Sequence, residues 1–272
     1  MRKITFKIWI FIIIASVFLS FFSISTIHIL IWHDDSKDTK KNTEQINQIV
    51  NIQTKEDNQE TELINKPLDI NSDYWYYITF PLIEVDLTEL KKKNSDTIGW
   101  ININNTNINY PIVQYSDNDF YLHHSYDKSY NEAGWIYLDY RNESNFIDKN
   151  NIIYGHQRND NTMFGTLNKV LEHDWYTNKD NHIIRISTEK ENTLWQIFSV
   201  YKIPVESYYI TTSFINEDKF FEFIDTITKR SIYNFNAETN INDKILTLST
   251  CYSDNIRTVI HAKLIKKETK IN

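Results

Sequence analysis

Between Ile8 and Trp32 the chain carries 25 residues without a single Asp, Glu, Lys or Arg. About 20 consecutive apolar residues are enough for a helix to cross a bilayer. Trp9 and Trp32 mark the two ends of the run, where amphipathic aromatic rings favour the membrane–water interface. Arg2, Lys3 and Lys7 precede it and "HDDSKD" follows. By the positive-inside rule the N-terminus is cytoplasmic and the rest of the chain lies outside. A cleaved signal peptide is the competing reading. The run exceeds a signal-peptide apolar core of about 7–15 residues, and no A-x-A site follows.

Charge narrows the function. The chain has 29 basic and 36 acidic residues; without residues 1–32, which hold three of the basic ones, 26 oppose 36. A net-acidic outer part disfavours nucleic acid and anionic surfaces, which demand clustered Lys and Arg. Residues 33–70 are polar, with no aromatic between Trp32 and Tyr74, and are expected to form a solvated tether or loosely helical stalk. The expected organisation is thus an anchor over 1–32, an extracellular linker over 33–70 and a folded domain over 71–268.

The domain itself reads as mainly β. "TIGWINI", "NINYPIV", "GWIYLDY", "NIIYGH", "HIIRIS", "TLWQIFSVYKI", "KILTLST" and "RTVIHAKLI" are short, rich in β-branched and aromatic residues, and separated by Asn/Asp turns. "DLTELKKKN" reads as a short helix, and "TMFGTLNKVLEHDWY" and "NEDKFFEFIDTITKRS" carry apolar residues at helical spacing. Many short strands in one domain suggest a barrel or sandwich with helical insertions.

Cys251 is the only cysteine. Outside the cell it is a buried inert thiol, an intermolecular disulfide or a working nucleophile. Alternation in "KILTLSTC" and "RTVIHAKL" helps. Pairing Leu248 with Ile260 and Leu246 with Ala262 buries two apolar faces together. That register places Cys251 opposite Arg257 on the outer, polar face, across "YSDNI". Opposed residues have Cβ atoms about 4.5–5.5 Å apart. A neighbouring guanidinium favours the thiolate and can hold an oxyanion; the plainer alternative is a surface arginine paired with Asp254 or solvent.

A thiol nucleophile needs a base, usually histidine. His28 lies in the apolar run and His33 just beyond it. His261 pairs with Thr247, two pairs from the cysteine. His123, His124, His173 and His182 sit in polar surroundings. His156 ends the strand "NIIYGH" directly after Gly155, one of four glycines, at a strand mouth where working side chains are common. No paired Cys/His spacing indicates a metal site.

Taken together, "TLSTC" at a strand end, an Arg opening the next strand, an upstream "YGH" and a membrane anchor resemble the sortases, membrane-anchored cysteine transpeptidases of Gram-positive bacteria. "NYPIVQYSDNDFYLHHSY", "GWIYLDYRN" and "NIIYGHQRNDNTMFGTL" resemble class B in particular. The resemblance implies a closed eight-stranded β-barrel with N-terminal helices and an inserted helix before the Cys-bearing strand. It implies that Cys251 attacks a C-terminal, NPxTx-like sorting motif of secreted proteins, with His156 as acid and base and Arg257 as oxyanion support. A peptidoglycan amine would resolve the thioacyl enzyme, with no cofactor and no metal. Asn118, Leu122, Ser249 and Thr250 would line the groove, as would Tyr209 and Ile210, which could equally be packing residues. The loop "YSDNI" is shorter than class B leads one to expect, and Ser253 stands where some members have an acid.

Alternatives use the same residues. A surface cysteine peptidase would hydrolyse the thioester with water, and a pilin-polymerising sortase would differ in acceptor. A non-catalytic wall-binding scaffold would not need Cys, His and Arg together. A papain-like order is disfavoured because His156 precedes Cys251.

Overall fold

The computed structural model describes residues 6–253 and 255–270, with side chains over 8–250 and 255–270. Helix α1, Phe6–Ile49, opens the chain. Its first part is exposed on every side and is long and apolar enough to cross a membrane. Over 33–49 the helix changes character. Ser36, Thr39, Asn42 and Ile46 recur at helical spacing and are buried. Asn42 donates to Ser125 Oγ (3.0 Å) and Asp127 Oδ2 (3.2 Å), and Arg158 donates to Ser36 Oγ (2.6 Å).

The stretch expected to be a solvated tether or loosely helical stalk continues as helix to Ile49 and packs in part against the domain. After α1, β1 (Ile52–Lys55) pairs with β3 (Leu82–Val85), and β2 (Thr61–Leu63) adds to the barrel edge. The tether reading relied on low hydrophobicity. This docking is made largely by hydrogen bonds, with Ile46 as its apolar pin.

Two short helices, α2 (Tyr74–Tyr77) and α3 (Thr88–Lys93), flank β3. The barrel strands are β4 (Thr97–Ile103), β5 (Asn109–Val113), β6 (Tyr137–Leu138), β7 (Asn150–Tyr154), β8 (Ile183–Thr188), β9 (Glu191–Pro204), β10 (Ile245–Ser253) and β11 (Ile256–Thr269). Their order is β10-β7-β6-β5-β4-β8-β9-β11, and β11 pairs back onto β10. The eight strands thus close, and closure removes the exposed edges of an open sheet. The stretch read as one helix from Thr162 divides into a 3₁₀ turn, Gly165–Leu171, and α4, His173–Thr177. Helix α5, Glu217–Lys229, is the insertion before the Cys-bearing strand.

Leu246, Leu248, Ile260 and Ala262 share the main core with Trp100, Trp135 and Trp195. The observed register pairs Leu248 with Ile260 and Leu246 with Ala262, as alternation requires. The opposite face of this hairpin is not the polar, solvated surface expected. Thr247, Ser249, Val259, His261 and Lys263 are all buried. Phe220, Phe223, Ile224 and Ile227 of α5 pack on Phe198 and Ile245, while Tyr209 packs on Tyr201, Ile203 and Val259. Buried polar groups need partners, and these have them. Thr247 donates to Asn150 Oδ1 (2.6 Å) and accepts from His261 Nδ1 (2.9 Å); Tyr201 donates to His261 Nε2 (2.7 Å).

Candidate active site

Strands β7 and β10 lie side by side and parallel, running without a shift from Ile245 opposite Asn150 to Ser249 opposite Tyr154. Gly155 continues the contact, its N–H donating to Ser249 O at 3.4 Å. A Cβ at Gly155 would stand 2.6 Å from Ile136 Cδ1 and 2.9 Å from Phe164, so the chain passes here only without a side chain. β7 ends at Tyr154, and the same offset continued by two residues would bring His156 opposite Cys251.

The antiparallel partner supplies the third group. Cys251 pairs with Arg257. A bulge then follows between Cys251 and Ser253, and Ser253 pairs with Ile256. The short "YSDNI" connection is thus largely taken up by the hairpin, with Asn255 O accepting from Val205 N at 3.2 Å. Asp254 lies outside the described residues. Arg257 is half-buried, and its Nη1 donates to Ile256 O at 3.3 Å.

His156 is oriented from the other side. Its Nε2 donates to Leu122 O at 2.8 Å; a carbonyl can only accept, so Nε2 carries the proton. In the neutral ring Nδ1 is then the basic nitrogen. Burial holds the imidazole pKa below its usual value, with His123 and Arg158 acting the same way and the Leu122 hydrogen bond and Glu132 opposing. The ring is therefore neutral at neutral pH. Gly134, with φ +56°, makes room for this arrangement. A Cβ there would meet Tyr121 O at 2.6 Å, Leu122 O at 2.7 Å and His156 Cδ2 at 3.0 Å.

The remaining expected site residues fall in three groups. Asn118 is half-buried and held by Asp139 and by Tyr140 N, and Leu122 acts on His156 through its carbonyl. Tyr209 is buried, its hydroxyl 3.0 Å from Ser249 Oγ, while Ile210 is partly exposed beside it. Ser249 is on the Cys251 side of β10. Thr250 falls on the Leu246/Leu248 side and is buried.

Four of the other histidines have partners elsewhere. His124 stacks on Phe120 at 4.1 Å, and His123 lies 3.3 Å from Glu132. His182 bonds Tyr77 and Tyr176 in the core. His261 belongs to the buried Tyr201–Thr247 chain. Among the described residues no cluster of three or more His, Cys, Asp or Glu could hold a metal ion.

A family model described as a sortase domain matches residues 101–265. This chain belongs to the sortase family, class B. Its sequence is 39% identical over 186 residues to sortase B of Listeria monocytogenes, covering 67% of this chain and 75% of that one. The sortase resembles the Staphylococcus aureus sortase B–substrate complex with a TM-score of 0.62 and 36% identity, over 65% of this chain and 83% of the other. It also resembles a sortase B complexed with triglycine, with a TM-score of 0.62 and 35% identity, over 65% and 84% of the respective chains.

Two features of this sortase escaped the sequence reading. The Leu122 carbonyl is a main-chain group and leaves no residue-type signal. Asp139 and Arg141, in "LDYRN", carry an i, i+2 carboxylate–guanidinium pattern that could have been read as a turn-forming ion pair.

Proposed function

We propose that this sortase is a membrane-anchored transpeptidase acting on secreted proteins that bear an NPxTx-like sorting motif. The observation that carries the reading is the pairing of Cys251 with Arg257 on β11, supported by the β7–β10 register, which runs to Tyr154 opposite Ser249, two residues short of His156 and Cys251. The Cys251 thiol passes its proton to His156 Nδ1, the resulting thiolate attacks the carbonyl carbon of the motif's Thr, and Arg257 steadies the oxyanion. The peptide C–N bond breaks, and His156 gives its proton to the leaving amine. An acceptor amine then attacks the thioester, losing a proton to His156, and the C–S bond breaks to restore the thiolate. Asn118, Leu122, Tyr209, Ile210, Ser249 and the Thr250 backbone would line the groove.

The acceptor is a peptidoglycan peptide amine, a choice supported by the triglycine complex of a related sortase B. Residues 8–32 of α1 cross the membrane with the basic N-terminus inside, which places the domain on the outer surface.

The full chain in detergent, incubated with NPxTx and LPxTG peptides, tests this by intact mass. A thioacyl adduct on wild type, absent in Cys251→Ala, is the expected result; no adduct and no cleavage with any motif would sink it. Ligated product with oligoglycine separates transpeptidase from the peptidase alternative, which yields acid in its place.

A further inference from the structure

The Tyr208–Ile210 turn and the Thr211 that follows it stand outside the barrel strands, yet three successive carbonyls of this segment are held by side chains. Asn150 Nδ2 donates to Tyr209 O (3.2 Å) and Thr211 O (2.9 Å). Arg141 Nη2 donates to Ile210 O (3.0 Å), between them. The same Nη2 bonds Asp139 Oδ2 (2.7 Å), and Arg141 Nε bonds Asp139 Oδ1 (2.8 Å). The two hydrogens on Nη2 can thus serve two segments at once, which the planar guanidinium fork allows and a lysine ammonium does not reproduce.

Asp139 is fully buried and shared further. Its Oδ2 also accepts from Tyr154 OH (2.9 Å) and Asn118 Nδ2 (3.1 Å). Tyr154 is two residues before His156. Asn118 precedes the Phe120–Leu122 turn whose last carbonyl orients His156. One carboxylate therefore joins β7, the loop that orients the histidine and, through Arg141, the 208–211 segment.

We propose that Asp139 and Arg141 are positioning residues that clamp the 208–211 segment against the sorting-peptide groove, so that Arg141 sets peptide affinity without taking part in bond making. The substrate part of this proposal rests on the transpeptidase reading above. Its test uses the full chain in detergent with a fluorogenic sorting peptide and saturating oligoglycine. Arg141→Gln should raise KM about tenfold, the size of one lost charge-assisted hydrogen bond, and leave kcat within about threefold. The rate of Cys251 alkylation by iodoacetamide should match wild type. Arg141→Lys, which keeps the ion pair with Asp139, should raise KM as well and serves if the Gln variant does not fold. Hydrogen exchange at amides 208–215 should accelerate in both variants while barrel amides stay protected.

An unchanged KM with unchanged exchange overturns the proposal. So does a joint fall of kcat, alkylation rate and melting temperature, which marks a general structural role. A wild type inactive on every sorting peptide defeats the transpeptidase reading, and local exchange then still decides the clamp.

Discussion

Tyr154 on β7 pairs with Ser249 on the parallel strand β10. Neither residue does the chemistry, but their pairing determines where the chemistry is possible. With no bulge from Asn150 to Tyr154, a fixed offset carries to Gly155, whose missing side chain lets the strand pass Phe164. Continued one residue further, the same offset would bring His156 beside Cys251. Antiparallel pairing to Arg257 completes the arrangement.

If His156 is the acid and base of the proposed reaction, its loss removes proton transfer in both half-reactions. His156→Ala should lower kcat/KM by at least about 10²–10⁴, the usual worth of a positioned acid–base group. Circular dichroism should remain that of the folded chain. Wild-type turnover in this variant would mean that another group supplies the proton.

Arg257, opposite the thiol, makes a different prediction. If its guanidinium stabilises the oxyanion, Arg257→Gln should cost about 10²–10³ in kcat, with a smaller effect on KM. Arg257→Lys should recover only part of the loss, because an ammonium lacks the guanidinium fork. A change confined to KM, seen in steady-state kinetics, would assign Arg257 to peptide binding alone.

The sequence was most legible where alternation is strict. Leu246/Leu248 against Ile260/Ala262 allows one register that buries both faces, and that register carried Cys251 to Arg257. The long apolar helix over 8–32 was legible because an uncharged run of that length has few other uses. Alternation failed on the reverse face of the same hairpin. Thr247 and His261 look like surface residues, but α5 and Tyr209 cover them as a second layer, and a pattern with period two cannot register a layer contributed from elsewhere in the chain. The docking of 33–49 was hidden for a related reason. Ser36, Thr39 and Asn42 are polar by type and buried by partnership, so hydrophobicity passes over them.

Ile46 tests that docking. It is 1% exposed, whereas Ile49, one turn on, is 40% exposed. Ile46→Ala should destabilise the folded domain by about 2–4 kcal/mol, and Ile49→Ala by no more than about 0.5 kcal/mol. Urea unfolding followed by tryptophan fluorescence would show the difference. Equal effects would mean that the end of α1 is detached in solution.

Gly134 links stability to the site. Its positive φ and the crowding beyond its Cα make Gly134→Ala costly, by about 1–3 kcal/mol for backbone strain alone. The displaced atoms include Leu122 O, the acceptor that fixes His156 Nε2. Peptide cleavage by this variant should therefore fall more than its folded fraction does. Activity that tracks the folded fraction would show that the Leu122 contact is dispensable.

Acid should weaken the fold through its buried histidines. Burial lowers the pKa of His261 to about 3 and that of His182 to about 4. Both fall below the ordinary value of about 6.5. Between those limits the unfolded chain binds a proton at each site and the folded chain does not, so stability falls as pH falls. Each such site contributes a slope of about 1.4 kcal/mol per pH unit. For His261, wholly enclosed by Tyr201 and Thr247, the loss from pH 6.5 to 5.0 is about 2 kcal/mol. His261→Gln abolishes this titration, so its stability, though lower at pH 7.5, should decline less towards pH 5.0 than that of wild type. Urea midpoints at the two pH values measure the difference. Parallel declines would mean that His261 takes up its proton inside the folded barrel.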